Sequence, residues 1–420
     1  MTTDRGRHRL GPFRGGSGQG RDPGAATAAP GWSYTTPGPG YVAVPPPRES
    51  GVLTRGPCDP WLLLAVGLLI LIGEVMVFNT TYFYASEHFD SSYRFVWKHQ
   101  VAVALGGVGL LIAAAVPSTT YRRLTYPVLL LALCGLVIVF LPGVAHGKVH
   151  RWIAFGPLNF QPSELAKGAV ALYLAHALAK KAERVTDFVY GLLPPVLVTG
   201  CVVALIAVEP DLGGAVLMCL LLLAMLFVAG ARVRHLTLLA AGGLVLLVCG
   251  ILAADYRLDR LSSFLDPVAH RQGTGYQLNQ SLLAFGAGGV KGVGLGEGRQ
   301  KLFYLPEAHT DFIFAVVGEE TGLWGTVIIL SLFTLVGARG LRAAVRHPHM
   351  FGRLLAFGLT FLLVCQAGLN MAVVLGMLPT KGLPLPFVSY GGSSLVTAMT
   401  VAGMLASLSR ESRRENRAYA

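Results

Sequence analysis

Long apolar runs separated by short polar connections dominate this chain. Each run is about 20 residues long, the length that an α-helix needs to cross about 30 Å of hydrocarbon. The pattern predicts about ten transmembrane helices, at residues 61–84, 97–116, 124–142, 163–179, 188–208, 212–230, 235–254, 311–337, 354–376 and 393–409. The fold class that follows is an all-α polytopic membrane protein.

The composition agrees with this prediction and excludes an ordinary soluble domain. Of the 420 residues, 53% are hydrophobic and only 13% are charged, whereas soluble domains carry about 25% charged residues. The six cysteines show no CxxC or metal-ligand spacing. Buried small side chains are therefore favoured over disulfides or a metal site.

Basic residues are unevenly distributed over the predicted loops. If the N-terminal tail is cytoplasmic, fifteen Lys and Arg residues lie inside and five lie in the short outer loops. This positive-inside bias predicts that both termini are cytoplasmic. The topology and contact with anionic membrane lipid explain the net charge of +12. No nucleic-acid motif accompanies the charge, so nucleic acid is not an expected partner.

Polar segments divide the chain into three parts. Residues 1–58 are rich in Gly, Pro, Ser, Ala and Arg and predict a disordered cytoplasmic tail. Residues 59–409 form the transmembrane domain, and residues 410–420 form a basic cytoplasmic tail. A large extracytoplasmic loop, residues 255–310, joins helices 7 and 8. Its apolar run at 278–285 predicts short helices rather than disorder.

The segment from Tyr304 to Phe314 carries the clearest chemistry. It places Glu307, His309 and Asp311 within five residues and then continues into an apolar run. A carboxylate at the mouth of a membrane helix is costly to desolvate and is functional by default. If Asp311 faces a sugar substrate outside, the protein is a membrane-embedded glycosyltransferase. If it faces only an aqueous cavity, the protein is a transporter.

Other acidic and basic groups lie inside predicted spans. Glu164 and Lys167 are three residues apart, so they share a helix face and can form an ion pair. The pair is either functional or a structural device that makes a buried charge tolerable. On a regular helix that begins at Asp311, Glu319 is rotated about 80° around the helix axis from Asp311, and Glu320 is rotated about 180°. Glu319 is therefore the better candidate to line the same cavity.

Two further segments are candidates for the outer face. Arg151 and Trp152 are either interfacial anchors or a cation beside a stacking surface for sugar and pyrophosphate. The segment 378–394 is broken by Pro and Gly and holds Ser389 and Ser393. Irregular backbone at membrane depth persists only where protein or a water-filled cavity covers it, so this segment should wall a cavity.

Taken in order, these motifs resemble the SEDS family of bacterial cell-wall synthesis proteins, which includes FtsW, RodA and SpoVE. The motifs are Arg151-Trp-Ile, Gln161-Pro-Ser-Glu, Pro210-Asp-Leu-Gly, Gly275-Tyr-Gln-Leu, Tyr304 to Phe314 with Gly318-Glu-Glu, and Pro386 to Ser394. Each is weak alone, but their order and membrane context make the match specific over residues 61–409. Residues 307–311 and 378–382 look more like FtsW, the division member, than RodA, the elongation member.

The resemblance implies a peptidoglycan glycosyltransferase that polymerises lipid II at the outer face of the bacterial cytoplasmic membrane. Its implied partners are lipid II, the nascent glycan strand, a class B penicillin-binding protein as transpeptidase, and other divisome or elongasome membrane proteins. It places the essential acid at Asp311 and a functionally sensitive tryptophan at Trp152. The chain departs from the common family pattern at residues 78–81, at Glu209 (where Gln is common) and at Gly214 (where Thr is common). These departures concern the choice between FtsW and RodA more than the activity.

The implied reaction assigns roles to the candidate residues. Asp311 would deprotonate the 4-hydroxyl of GlcNAc. Partial desolvation should raise the pKa of Asp311, whereas the positive N-terminal end of the helix opposes that rise. Arg151, Lys301 and Lys167, or a divalent cation, would offset the charge of the leaving pyrophosphate. Glu307 and His309 either orient Asp311 or cap the helix.

Two other functions stay open at this point, a lipid II flippase and a noncatalytic division scaffold. A flippase needs cavities that open to each side in alternation, ideally built from internal repeats. No clear repeat is found, and the polar motifs 147–161, 255–311 and 378–394 all fall on the outer side. A scaffold leaves the clustered outer acids unexplained.

Overall fold

The computed structural model describes residues 53–88, 94–141, 151–155, 158–252, 255–266, 273, 275–380 and 382–413. Within them lie twelve α-helices: α1 (Pro60–His88), α2 (Arg94–Ala115), α3 (Ser118–Ile138), α4 (Pro162–Lys180), α5 (Leu193–Val208), α6 (Leu212–Val228), α7 (Val233–Leu252), α8 (Asp255–Leu265), α9 (Tyr276–Gly288), α10 (Ile313–Arg346), α11 (Met350–Val374) and α12 (Gly392–Arg410). Four three-residue strands form two antiparallel pairs, β1 (Leu53–Arg55) with β4 (Glu411–Arg413) and β2 (Ile153–Phe155) with β3 (Leu158–Phe160). Short 3₁₀ or π-helical turns occupy Ala182–Arg184, Phe188–Leu192 and Gln300–Tyr304.

The predicted spans coincide with helices α1 to α7 and α10 to α12. Among the described residues, eight helices are long and apolar enough to cross a membrane, and α6 is apolar but shorter. Helix α4 is not one of the eight, and it carries Glu164 and Lys167 near its start. The chain is therefore a multi-pass membrane protein of all-α class, as the hydrophobic pattern predicts.

Helices α4, α10, α11 and α12 build the core, and α12 also packs along α2. Glycines allow that close approach, because a Cβ at Gly403 would collide with the backbone of Leu110 and a Cβ at Gly106 would collide with Met399. Helix α7 has no buried residue, and its main contacts are with α6 and α8. Lipid is therefore the expected environment for most of its surface.

Two helix boundaries differ from the prediction. Helix α3 begins at Ser118 rather than at residue 124, because the carboxylate of Glu411 accepts hydrogen bonds from the amide nitrogen (2.9 Å) and hydroxyl of Ser118. Helix α10 continues to Arg346, well past residue 337, because its last turns are packed: Ala343 and Ala344 are buried there. Tertiary contacts of this kind are invisible to a hydropathy pattern.

The predicted outer loop contains α8, α9 and the π-helical turn Gln300–Tyr304. Its apolar run lies in α9, whose buried residues include Leu278 and Ala284. The hydroxyl of Ser281 donates to the carbonyl of Val374 at 2.6 Å and ties α9 to the end of α11. The helices that were expected for this segment are therefore present, and α9 packs against α10 and α11.

The predicted tails fall mostly outside the described residues, which begin at residue 53 and end at residue 413. The described inner parts of both tails meet, because Leu53–Arg55 pairs with Glu411–Arg413 in register. Asp59 and Arg339 add an ion pair of 2.5 Å on the same side. Composition alone does not predict strand pairing between segments so distant in the chain, and the boundaries at 58 and 410 stay predictions.

The Glu411 carboxylate holds three elements together at this end of the molecule. It meets Ser118 at the start of α3 and the Nε2 atom of His347 (3.1 Å) beyond the end of α10. Burial by itself would raise the pKa of Glu411, but the hydrogen bonds from His347 and Ser118 outweigh it and lower the pKa to about 2. The resulting stabilisation is full above the usual pKa of a glutamate and is lost as the pH falls toward 2.

Glu411→Gln should therefore lower the free energy of unfolding by about 2 kcal/mol at neutral pH, because the charge of the buried carboxylate and one of its two acceptor oxygens are lost. Thermal unfolding of the detergent-solubilised protein measures the effect. Glu183→Gln, at an exposed position, is the matched control. Equal unfolding temperatures for the two variants would contradict this role of Glu411.

Candidate active site

A cavity of about 550 Å³ opens beside the start of α10. Its walls come from the turn between α5 and α6, the end of α7, helices α8 and α9, the residues before α10, and the segment after α11. The lining residues are Arg151, Pro210, Asp211, Leu212, Gly213, Ile251, Arg257, Arg260, Leu261, Gln277, Glu307, Asp311, Phe312, Pro379, Thr380 and Gly382. The predicted residues Arg151, Glu307 and Asp311 are thus brought to one cavity.

Asp311 stands at the mouth of α10, as the sequence predicts. The amide nitrogens of Thr310 and Phe312 donate to the carbonyl of Glu307, at 3.1 and 3.2 Å, so a tight turn precedes the helix. The Nδ2 atom of Asn370 donates to the Asp311 carbonyl at 2.8 Å. A Cβ on Gly382 would lie 3.1 Å from Oδ2 of Asp311, so the missing side chain of Gly382 leaves room for the carboxyl.

The surroundings of Asp311 shift its ionisation. Burial is the main cause that raises its pKa to about 7, and the carboxylates of Glu307 and Asp211 raise it further. Arg151 and Arg260 oppose the rise. A carboxyl with a pKa near the ambient pH suits a general base, since it is ionised in part and still strong enough to take a proton. The direction agrees with the expectation from the sequence.

Three arginines supply positive charge to the cavity. Arg151 is held by backbone oxygens: its Nε donates to the carbonyl of Glu209 at 2.5 Å and its terminal nitrogen to that of Pro210. Arg257 and Arg260 come from α8, three residues apart and hence on one face. Guanidinium groups bind phosphate oxygens in two-pronged geometry, so this set suits a diphosphate.

Two of the cavity arginines, Arg257 and Arg260, do not stand out in the sequence. They lie in the predicted outer loop, where the short polar sequence Asp255–Leu265 does not stand out as a helix. The sequence does hold one indication of a shared role for them, because the two arginines are three residues apart and follow directly after a membrane span. The structure alone shows that this face turns toward Asp311.

The irregular segment after α11 walls the site, as the sequence predicts. The hydroxyl of Ser389 donates to the carbonyl of Thr310 at 2.6 Å and accepts from the amide of Leu385 at 2.8 Å. The amide of Tyr390 donates to the carbonyl of His309 at 2.9 Å. Ser389 therefore supports the site by binding backbone. Its neighbour Ser393 is further away, where its hydroxyl accepts from the amide of Gln161 at 3.2 Å.

The residues around Asp311 divide into lining and supporting groups. Glu307 is exposed to the cavity, and its Oε2 accepts from the hydroxyl of Thr310 at 2.7 Å. His309 packs its ring against Phe95 and Tyr390, with centroid separations of 6.0 and 5.6 Å. Burial lowers the pKa of His309, while Glu307 raises it. Trp152 is half-buried and is not among the cavity-lining residues.

Lys301 and Glu319 do not line this cavity, which corrects the expectation from the sequence. Lys301 is buried and pairs with Glu320 at 2.8 Å and with Asn79 at 2.7 Å. Glu319 accepts from the backbone amide of Arg299 at 2.9 Å. A helical wheel gives the direction of a side chain but not the neighbour that covers it. Here the glycine-rich loop before α10 covers both glutamates.

The predicted pair of Glu164 and Lys167 is present, with Nζ and Oε2 2.7 Å apart. Both side chains are buried, and Lys167 also donates to Oε1 of Gln366 at 2.9 Å. Gln366 in turn donates to the carbonyl of Pro384 at 2.9 Å. The pair therefore supports the irregular segment from behind, and neither residue lines the cavity.

A divalent cation stays a prediction. Within the described ranges, the structure has no group of three or more His, Cys, Asp or Glu side chains that could hold a metal ion. The positive charge that lines the cavity comes from its three arginines.

The structural role of the buried pair can be tested by unpairing it. Lys167→Met should lower the free energy of unfolding by about 3 kcal/mol, because Glu164 is left buried without its counter-charge. The double variant with Glu164→Gln should recover most of this loss. Thermal unfolding in lipid nanodiscs measures both, and a double variant no more stable than the single one would contradict the pairing.

Comparison with known proteins agrees with the geometry. The model of the FtsW/RodA/SpoVE cell cycle proteins matches residues 60–414. The probable peptidoglycan glycosyltransferase FtsW of Geobacter sulfurreducens is 44% identical over 351 residues, which are 83% of this chain and 94% of that protein. The stage V sporulation protein E of Bacillus subtilis is 38% identical over 367 residues, or 86% of this chain and 100% of that protein.

Solved structures show the same fold. A chain from a peptidoglycan synthase complex in which polymerization and crosslinking are coordinated is 31% identical, with a TM-score of 0.70 over 84% of this chain and 98% of that one. Thermus thermophilus RodA is 29% identical, with a TM-score of 0.62 over 86% of this chain and 98% of RodA. The chain belongs to the FtsW/RodA/SpoVE family of cell cycle proteins.

Proposed function

We propose that this protein is a peptidoglycan glycosyltransferase of cell division, which polymerises lipid II into glycan strands at the outer face of the cytoplasmic membrane. The observation that carries the proposal is the cavity that joins the Asp311 carboxyl, with its pKa of about 7, to Arg151, Arg257 and Arg260. A base beside a set of guanidinium groups is what glycosyl transfer from a lipid diphosphate requires. The names of the relatives support this substrate class.

Asp311 is the general base in this reaction. Its carboxylate takes the proton from the 4-hydroxyl of the GlcNAc on the incoming lipid II. The freed oxygen forms a bond to the anomeric carbon of the MurNAc at the end of the growing strand, and the bond from that carbon to the diphosphate oxygen breaks. Undecaprenyl diphosphate leaves with the bonding electrons, and the configuration inverts because attack and departure occur on opposite faces.

The arginines stabilise the charge of the leaving diphosphate. Arg151 is oriented by carbonyl oxygens rather than by a carboxylate, so its positive charge is not cancelled locally. Arg260 lies on the cavity surface, and Arg257 is fixed to the end of α7 through a 2.6 Å hydrogen bond to the carbonyl of Gly250. Donors held in place before the reaction contribute more than mobile ones, since they need no reorganisation.

A class B penicillin-binding protein is the proposed transpeptidase partner, together with other division proteins at the septum. Support comes from the likeness to a chain of a peptidoglycan synthase complex that coordinates polymerization and crosslinking. Strands made by one subunit would then be cross-linked by the other at the same membrane surface.

Asp311→Asn should reduce polymerisation of purified lipid II by about 10³-fold or more, because the amide cannot accept the proton. The purified protein with its transpeptidase is assayed for glycan polymer and, in proteoliposomes, for lipid II transferred between leaflets. Asp266→Asn, at an exposed position of the outer loop, is the matched control. Normal glycan strands from Asp311→Asn would refute the base assignment, and flipped lipid without polymer would favour a transporter.

Arg260→Gln should raise the KM for lipid II about tenfold, with a smaller effect on kcat, because one charge-assisted contact to the diphosphate is lost. Arg299→Gln, also exposed but outside the cavity, serves as the control. Steady-state polymerisation kinetics measure both. An unchanged KM for Arg260→Gln would remove this residue from the diphosphate site.

A further inference from the structure

Glu209 is a fully buried carboxyl group in the turn between α5 and α6. Its side chain has no exposed surface, and neither of its carboxyl oxygens has a hydrogen-bond partner among the described residues. A carboxylate without partners in such a place is strongly disfavoured, and the neutral acid is favoured instead. The turn is otherwise well ordered by hydrogen bonds, so this orphaned group requires an explanation.

The backbone of the same turn orients a cavity arginine. The carbonyl oxygens of Glu209 and Pro210 accept hydrogen bonds from Arg151. The neighbouring Asp211 uses its carboxylate to cap α6, through the amide of Gly214 at 2.9 Å. In the part of the chain that the structure describes, Arg151 forms no ion pair with a carboxylate. Its charge is thus available to an anionic ligand in the cavity.

The charges near Glu209 determine when it ionises. Burial is the main cause that raises its pKa to about 8, Asp211 raises it further, and Arg151 lowers it. Helix α4, which packs on α5 and α6, contributes only the internally neutral pair of Glu164 and Lys167 near this end. The raised pKa means that the proton is held through neutral pH and is released above about pH 8.

We propose that Glu209 is a positioning residue that works while protonated, and that its ionisation withdraws Arg151 from the diphosphate of the substrate. A new negative charge beside Arg151 would pair with the guanidinium and repel the diphosphate. The inference rests on the proposed function of the cavity as a diphosphate site. It adds the prediction that binding weakens on the alkaline side through a group that never touches the substrate.

Binding of farnesyl diphosphate to the full-length detergent-solubilised protein tests the proposal without requiring glycosyl transfer. Asp311→Asn is the background, because it removes the titration of that carboxyl. The Kd should rise about tenfold between pH 7.5 and pH 9, since only the protonated fraction is competent to bind. Adding Glu209→Gln, which resembles the protonated acid in shape and charge, should make the Kd independent of pH over this range.

Two controls separate the possible outcomes. Glu297→Gln, at an exposed position of the outer loop, should keep the pH dependence. Glu209→Asp retains a titrating group and should restore an alkaline rise that Glu209→Gln lacks. A Kd that rises equally with and without Glu209→Gln would overturn the proposal. Binding that is weak at every pH would refute the diphosphate site itself and the proposal with it.

Infrared spectra of the Asp311→Asn protein report the protonation of Glu209 without any substrate. This protein should show the carbonyl band of a buried protonated carboxyl at pH 7.5, the band should be missing when Glu209→Gln is added, and it should disappear above about pH 8. Its absence at pH 7.5 would overturn the proposal even if the wild-type protein polymerises lipid II. Its presence, together with pH-dependent binding but no polymerisation by the wild-type protein, would support the role of Glu209 and reject the proposed enzyme function.

Discussion

The site depends on how the backbone groups of broken helices are satisfied where little water is available. The chain leaves regular helix just before Ile313 and again between α11 and α12, and each break frees amide and carbonyl groups that must find partners. Asn370 meets this constraint for both breaks at once. Its Nδ2 atom donates to the carbonyl of Asp311 at 2.8 Å and to that of Leu383 at 2.7 Å. The backbone of Asp311 and the wall of the cavity are therefore positioned by one side chain.

Behind the contacts of Asn370, further polar side chains support the irregular segment one after another. Gln366 binds the irregular segment at Pro384 and is itself held by Lys167, whose charge is balanced by Glu164. None of these three residues lines the cavity. A buried ion pair contributes little net stability by itself, but it fixes geometry because either partner alone would be costly. The pair is thus better understood as a support for the site than as part of its chemistry.

The electrostatics of the cavity also depend on which polar groups already have partners. Asp211 caps α6, and the carboxyl oxygens of Glu209 are buried without a hydrogen-bond partner, so neither group pairs with Arg151 among the described residues. Burial brings the pKa of Asp311 to about 7. A carboxyl group and a cationic surface thereby coexist in one cavity without forming an ion pair among the described residues. Exposed opposite charges in water gain little stability from pairing and are not held in a fixed arrangement, so that combination is difficult to maintain there.

Several features follow from single segments of sequence because they depend on local interactions. The ten predicted spans coincide with helices, since apolar length is a local property. The pair of Glu164 and Lys167 follows from helical spacing, and the irregularity of residues 382–391 follows from their Pro and Gly content. The position of Asp311 at a helix mouth is also local. The rise in its pKa was expected in direction, because the mouth of an apolar helix is partly desolvated.

The sequence by itself therefore determined the membrane fold, the candidate base and the irregular wall, since periodicity, charge and backbone chemistry act over a few residues. Only the tertiary structure decided which charges meet. It turned Arg257 and Arg260 toward Asp311, and it committed Lys301 to Glu320 at 2.8 Å. The physical reason is that Coulomb interaction and desolvation depend on distance and burial in space. Residues far apart in the chain acquire both only when the helices pack.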